Sequence, residues 1–355
     1  MREGITRLMR EKHLDAVLVA DGANMRYLSG FTGETGYLYL SAGQQTVLTD
    51  SRYTLQAQEE ASGFEVLEVS REKGYGELLL ELSKQEAIGR LGFEDQVMIY
   101  GTVEKLKEKL PQDLEWVALG LELAKLRRVK TQEEIKRIAR AEEIGDQAFT
   151  YLLGELRPGV TEREIAAKLE YYFKTHGAEG ISFPSIVASG LHSAMPHATP
   201  SGKRLEKGDF ITLDFGCRYE GYCSDMTRTV VLGKANERQR EIYRIVREAQ
   251  EAGLGAVRAG VSGAQIDRAA RDVIEKAGYG EYFGHALGHS VGLEIHERPA
   301  LSWLDETILE PGMIETVEPG VYVPGFGGVR IEDLVVVTEE GCRNLTRSPK
   351  ELVEL

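Results

Sequence analysis

Residues 209–233 read DFITLDFGCRYEGYCSDMTRTVVLG, two apolar runs on either side of the turn-forming segment 218–221, with one aspartate set into each run, Asp214 and Asp225. Such a stretch predicts a β-hairpin. A turn centred between Tyr219 and Glu220 sets the two aspartates directly opposite each other on one face, with Cβ atoms ~5 Å apart. Like charges held so close either share a proton or are neutralised by a cation, and in apolar strands a divalent metal is the simpler solution. Residues 312–337, GMIETVEPGVYVPGFGGVRIEDLVVV, repeat the arrangement: Glu318 and Glu332 lie symmetrically about position 325, inside a Pro-Gly-Phe-Gly-Gly turn. A single strand carboxylate is ordinarily a solvated one. Two symmetric pairs argue for a site. Glu315 points to the opposite face from Glu318 in an extended strand and is expected to be solvated or structural.

Between the hairpins, residues 283–299 read FGHALGHSVGLEIHERP and carry His285, His289 and His296, three of the chain's seven histidines. The glycines there let the backbone turn sharply and approach a site closely. His197 sits in SAMPHATPSG, residues 193–202, ahead of the first hairpin. His176 and His192 read as structural or surface groups, and His13 as helix surface. Arg330 shares a strand face with Glu332, where it could bind a ligand's carboxylate or carbonyl, or pair with a nearby carboxylate.

Each hairpin follows two long helical patterns, over 131–154 and 161–176 for the first and over 235–258 and 262–277 for the second. Thr131 and Glu134 have the spacing of a capping box at the start of the first of these. Residues 123–355 are therefore expected to form an α+β domain with pseudo-two-fold internal symmetry. Upstream, a helix near 3–12 and strands over 15–20, 37–41, 45–49, 64–69 and 87–93, with amphipathic stretches between, predict a separate α/β domain over 1–122. A length of 355 residues suits two domains.

Composition excludes several functions. No apolar run approaches the ~20 residues of a membrane span, and charges scattered through residues 1–20 break up any signal-peptide core. The net charge of −14, without a basic block, repels a phosphate backbone, so no nucleic-acid partner is expected. Cys217, Cys223 and Cys342 are odd in number and lack metal-type spacing. They read as buried thiols in a reducing compartment, which places the protein in the cytoplasm.

The order DFG, SDMTRT, HALGHSVGLEIHE, ETVEPG and GVRIED resembles the pita-bread metallopeptidases, the family of prolidase, aminopeptidase P and methionine aminopeptidase. The resemblance implies two divalent metal ions held by Asp214, Asp225, His289, Glu318 and Glu332. Asp225 and Glu332 would bridge them, Asp214 would complete one, and His289 with Glu318 the other. A carboxylate-rich set with one imidazole suits manganese or cobalt foremost, with iron or zinc also fitting. In such a centre a metal-activated water is the nucleophile. Glu318 would also shuttle protons, His197 and His296 would donate to the oxyanion, and His285 would contact substrate.

The segments YLSGFTGETGYLYL (27–40) and VLTDSRYTLQAQ (47–58) look like the creatinase-like N-terminal domain of prolidases and aminopeptidases P. That domain implies a homodimer and short peptides with proline at the second position as substrates. GYGEYFGHALGHSVGLEIHE with GGVRIED reads closest to microbial prolidases, making an Xaa-Pro dipeptidase the expectation and aminopeptidase P the alternative. Some prolidases carry an arginine shortly after the His-Glu pair, whereas here Arg298 precedes Pro299 and position 300 is alanine. A non-enzymatic pita-bread binding protein is the reading from another class, and it would tolerate loss of the ligand set that stands complete here.

Overall fold

Thr131 closes the capping box foreseen for it. Its Oγ1 accepts from the Glu134 N–H at 3.3 Å while the Glu134 carboxylate accepts from the Thr131 N–H at 2.8 Å. This starts helix α1, Gln132–Leu153. In the computed structural model, which describes residues 2–355, the same reciprocal device starts three more helices. They are α2 (Glu162–Thr175) behind Thr161, α3 (Glu237–Ala256) behind Asn236 and α4 (Gly263–Lys276) behind Ser262. Each box satisfies two orphan N–H groups at a helix start and fixes where the chain turns in.

The chain divides after Arg127 into two compact units. The break falls beyond the expected residue 122 because 122–125 form one more helical turn whose Leu123 is buried in the core of the first unit. The first unit is a six-stranded mixed sheet in the order 65–68, 45–49, 37–41, 16–19, 90–93, 115–118. Its central strand Ala16–Val19 is buried on both faces, with Val17 and Val19 in one apolar cluster and Ala16 and Leu18 in another. The edge strand Glu115–Ala118 was not among those foreseen, since four residues with a terminal glutamate carry little periodicity. His13 lies past the end of the first helix, with φ of 53° in the turn that closes it, instead of on the helix surface.

The second unit has the expected two-fold plan. Helices α1 and α2 pack with the first hairpin around Ile144, Phe149, Leu169, Leu213 and Met226. Its strands are β1 (Ile186–Ser189), β2 (Phe210–Phe215) and β3 (Met226–Val231), antiparallel in that order. Helices α3 and α4 pack with the second set around Val246, Ile266, Ala270, Val317 and Val335. That set comprises β4 (Gly288–Ser290), β5 (Glu297–Leu301), β6 (Ile314–Val317), the hairpin β7 (Gly320–Val323) and β8 (Gly327–Arg330), and β9 (Asp333–Val337). The two sets meet where the Glu332 N–H donates to the Thr227 carbonyl at 3.1 Å.

Behind that junction sits Arg228, the largest fully buried side chain. All five guanidinium protons are used: on the carbonyls of Thr227, Glu332, Ser348 and Pro349, and on Asp333 Oδ1 at 2.8 Å. Asp333 also accepts from Gln250, Asn344 and Lys350. Residues 348–355 thereby lie across the back of β3, continued by the Val231 N–H on the Val353 carbonyl at 2.9 Å. The charge is buried yet every donor is paired, the condition under which such a group is tolerated.

Candidate metal centre

The second hairpin has the foreseen register. Val317 faces Asp333 and Gly320 faces Arg330, so Glu318 and Glu332 fall opposite each other about the turn at 325. The first does not. Glu220 and Gly221 both take positive φ, 46° and 82°, as a two-residue type I′ turn requires. This moves the turn one residue along, so that Arg218 faces Cys223 and Asp214 faces Thr227. Asp225 is therefore a diagonal neighbour of Asp214, not its direct partner, and stays on the same face.

The correction leaves the cluster intact. Carboxylate oxygens of Asp214, Asp225 and Glu332 lie within 4.8 Å of one another, all buried. His289 brings Nε2 to 3.4 Å from both Asp225 and Glu318, because its Nδ1 is turned to the Ser290 carbonyl at 3.1 Å. The His296 ring stands edge-on to His289, centroids 4.5 Å apart. Thr316 donates to Glu318 at 3.0 Å and Thr227 to Glu332 at 2.7 Å, each fixing one carboxylate oxygen.

Electrostatically the cluster is short of positive charge. Burial, then the carboxylates of Asp214 and Glu318, push Asp225 well above the ordinary carboxyl range; burial, then Asp225 and Glu318, do the same to Glu332. Burial also raises Glu318. Arg330 supplies the guanidinium, but it is committed: 2.5 Å to Asp214, 3.0 Å to the Thr227 hydroxyl and 2.6 Å to the Tyr322 hydroxyl. Asp214 Oδ1 and Glu332 Oε1 remain buried without a hydrogen-bond partner among the described residues. Two orphaned carboxylate oxygens on residues of one buried acidic cluster, with an imidazole nitrogen 3.4 Å from its Asp225, make the kind of donor set that divalent cations take. The residues fit the ions that the resemblance implies.

All nine expected site residues line one cavity of about 720 Å³: His197, Asp214, Asp225, His285, His289, His296, Glu318, Arg330 and Glu332. Phe183, Pro184, Ile186, Pro196 and Ile295 form apolar wall. His285 is held neutral, pushed down to about 4 by burial and then by Arg330, with its nitrogens at the Ala286 carbonyl and the Tyr322 hydroxyl. His192 is structural, paired with Glu162, and His176 stacks on Tyr172. Glu315 is structural too: it is fully buried and accepts from Ser290 at 2.6 Å. Cys217 and Cys223 are buried free thiols pushed up to about 12 by burial.

One participant went unforeseen. Glu142 of α1 lies beneath the cluster, accepting the Asp225 N–H at 3.3 Å and the Thr346 hydroxyl at 2.6 Å, and burial raises it to about 8. In RIARAEEIGDQAF it is one charge among several on an amphipathic helix, and nothing in the pattern separates it from its solvated neighbours.

Residues 136–339 match metallopeptidase family M24, and residues 1–129 match the creatinase/prolidase N-terminal domain. An Xaa-Pro dipeptidase of Pyrococcus furiosus is 42% identical, the alignment covering 99% of each chain. A solved Xaa-Pro dipeptidase from Bacillus anthracis superposes with a TM-score of 0.95 at 44% identity, over 100% of this chain and 99% of that one. A solved X-Pro aminopeptidase from Thermotoga maritima MSB8 gives 0.91 at 40% identity, over 98% and 100% respectively.

Proposed function

The chain belongs to metallopeptidase family M24, and from that premise we propose that it hydrolyses the Xaa-Pro bond of dipeptides, with two divalent metal ions held by Asp214, Asp225, His289, Glu318 and Glu332. The observation that carries this reading is the convergence of four carboxylates and one imidazole in a single cavity, two of the buried carboxylate oxygens having no partner among the described residues. Manganese or cobalt suits the oxygen-rich set best, with iron or zinc as further candidates. When bound, the ions supply a hydroxide-level nucleophile near neutral pH and polarise the scissile carbonyl.

The remaining work falls to side chains. Glu318, at the cavity wall and held by Thr316, takes the proton from the attacking water and passes it to the leaving proline nitrogen. His197 and His296 face the cavity and donate to the developing oxyanion. His285, kept neutral and held by the Tyr322 hydroxyl at 3.1 Å, touches substrate from the cavity wall. Arg330 contributes by holding Asp214 in place, since its donors are already engaged there and on Thr227 and Tyr322. Arg298 lines the cavity with its guanidinium loosely placed, 3.9 Å from Asp305, and suits the carboxylate of a dipeptide.

Proline at the second position removes the amide N–H that strand-like peptide binding uses, and carbonyl polarisation does not need that donor. The dipeptidase names among the relatives support the exopeptidic, two-residue reading. The aminopeptidase of similar identity keeps the longer-peptide reading as second. Turnover of Met-Pro, Met-Pro-Gly and Met-Ala by manganese- or cobalt-loaded protein separates them. Cleavage of Met-Pro alone establishes the dipeptidase, preference for Met-Pro-Gly the aminopeptidase, and cleavage of neither refutes both. No bound metal and no hydrolysis would revive a non-enzymatic binding role.

The proposal includes a cytoplasmic homodimer. Unpaired cysteines support a reducing compartment, and among the described residues no helix is long and apolar enough to cross a membrane. Sedimentation equilibrium tests the dimer.

A further inference from the structure

Glu162 opens α2, where Thr161 already caps the helix, yet it is fully buried and collects more hydrogen bonds than the cap needs. Its carboxylate accepts from the Ser189 N–H and hydroxyl, both at 2.8 Å, and from the Ser201 N–H at 3.0 Å and hydroxyl at 2.7 Å. His192 Nδ1 adds a contact at 2.9 Å. These bonds outweigh burial and hold the carboxyl below its ordinary value. Ser189 and Ser201 are the two ends of one segment. Between them, Pro196, His197, Ala198, Thr199 and Pro200 line the cavity. One carboxylate therefore pins both feet of the loop that presents His197.

Secondary stitches follow the same plan. Lys203 Nζ bridges the Ser189 hydroxyl at 2.9 Å and Asp209 at 2.6 Å. Ser193 donates to the Gly190 carbonyl and accepts from the Gly328 N–H at 2.9 Å, which ties the loop to β8, the strand of Arg330. The His197 side chain is itself exposed, so its aim is set by the loop backbone. We propose that Glu162 is a positioning residue that acts on turnover through His197, by closing the 189–201 loop. The inference rests on the reading of His197 as an oxyanion donor. A donor displaced by ~1 Å forfeits much of its effect, on the order of 10²-fold in the limit.

The experiment uses the full chain, metal-loaded, as wild type, Glu162→Ala, Glu162→Gln, His197→Ala and the double variant Glu162→Ala/His197→Ala. Amide hydrogen exchange, metal content and Met-Pro turnover are read on each. Glu162→Ala is expected to speed exchange within 189–201 by ~10-fold or more while leaving α3 and α4 at wild-type rates. Its kcat should fall ~10-fold at unchanged metal content, and the same change in the His197→Ala background should cost less than ~2-fold. Glu162→Gln, with an amide facing N–H donors at one end of the loop, should shift both readouts in the same direction by less. Multiplying effects in the double variant, exchange raised across the whole second unit, or wild-type behaviour of both Glu162 variants would each overturn the proposal. Should Glu162→Ala fail to fold, Glu162→Gln paired with His197→Ala decides by the same criteria. If the wild type cleaves no Xaa-Pro peptide, the substrate reading fails and the exchange measurement decides the pinning alone.

Discussion

Asp225→Asn should abolish hydrolysis and, in the absence of metal, make the protein more stable. Asp225 shares its buried cluster with Asp214 and Glu332, ligand oxygens within 4.8 Å. Two unit charges at that separation repel by about 3.5 kcal/mol at an effective dielectric of ~20. The carboxyls take up protons instead of bearing all of this, so the relief from deleting one charge is ~1–3 kcal/mol. The sign with pH is fixed. The folded-state value of Asp225 lies above its ordinary 3.8, so wild type loses stability as pH rises from there. The advantage of the variant should be absent near pH 4 and grow as pH rises above it. Urea unfolding of EDTA-treated wild type and variant measures it. Adding manganese should then stabilise the wild type and leave the variant unmoved, as binding to the native state alone requires. A metal-free variant less stable than wild type at the higher pH, or one that still turns over Met-Pro, refutes the reasoning.

His296→Ala should keep both metals by elemental analysis and lower kcat ~10²-fold; an unchanged kcat removes His296 from the reaction. Arg228→Met leaves buried Asp333 with Lys350 as its remaining cation and strips four carbonyls of a donor, so it should cost ~3–5 kcal/mol by urea titration, and a loss below ~1 kcal/mol would contradict the pairing described. Burial raises Glu315 from 4.5 to about 8, so its contribution to stability is full below the lower value and is lost as pH rises through the higher one. Glu315→Gln should accordingly flatten the fall in urea midpoint between about pH 5 and about pH 9, and an unchanged slope would show that Glu315 does not titrate there.

What could be read from residues alone followed physical regularities that repeat along a chain. The Pro-Gly-Phe-Gly-Gly turn fixes the register of Glu318 against Glu332, because glycine takes the positive φ seen at Gly325 and Gly327. Where the turn depends on a non-glycine adopting that region, as Glu220 does at 46°, residue type gives no warning, and the Asp214–Asp225 register came out displaced. The cap at Thr131 was legible as a spacing, and the structure repeats it at Thr161, Asn236 and Ser262. The polar groups that hold the site from behind were not. Glu142, Glu162 and Arg228 stand in charge-rich helices or within an ordinary strand sequence, and their burial is decided by partners distant in the chain, such as Thr346, Ser201 and Ser348.

The position of those partners along the chain sets an order of events. Thr346, Ser348 and Pro349 contact Glu142 and Arg228, groups that abut Asp225 and Glu332, yet they follow all five proposed ligands in sequence. A nascent chain therefore exposes every carboxylate of the centre before the segment that braces it has left the ribosome. Until then Arg228 lacks two of its carbonyl acceptors and Glu142 its hydroxyl donor. Assembly of the site is in this sense scheduled last, and a chain shortened before Thr346 would carry the complete ligand set without the brace that sets its spacing.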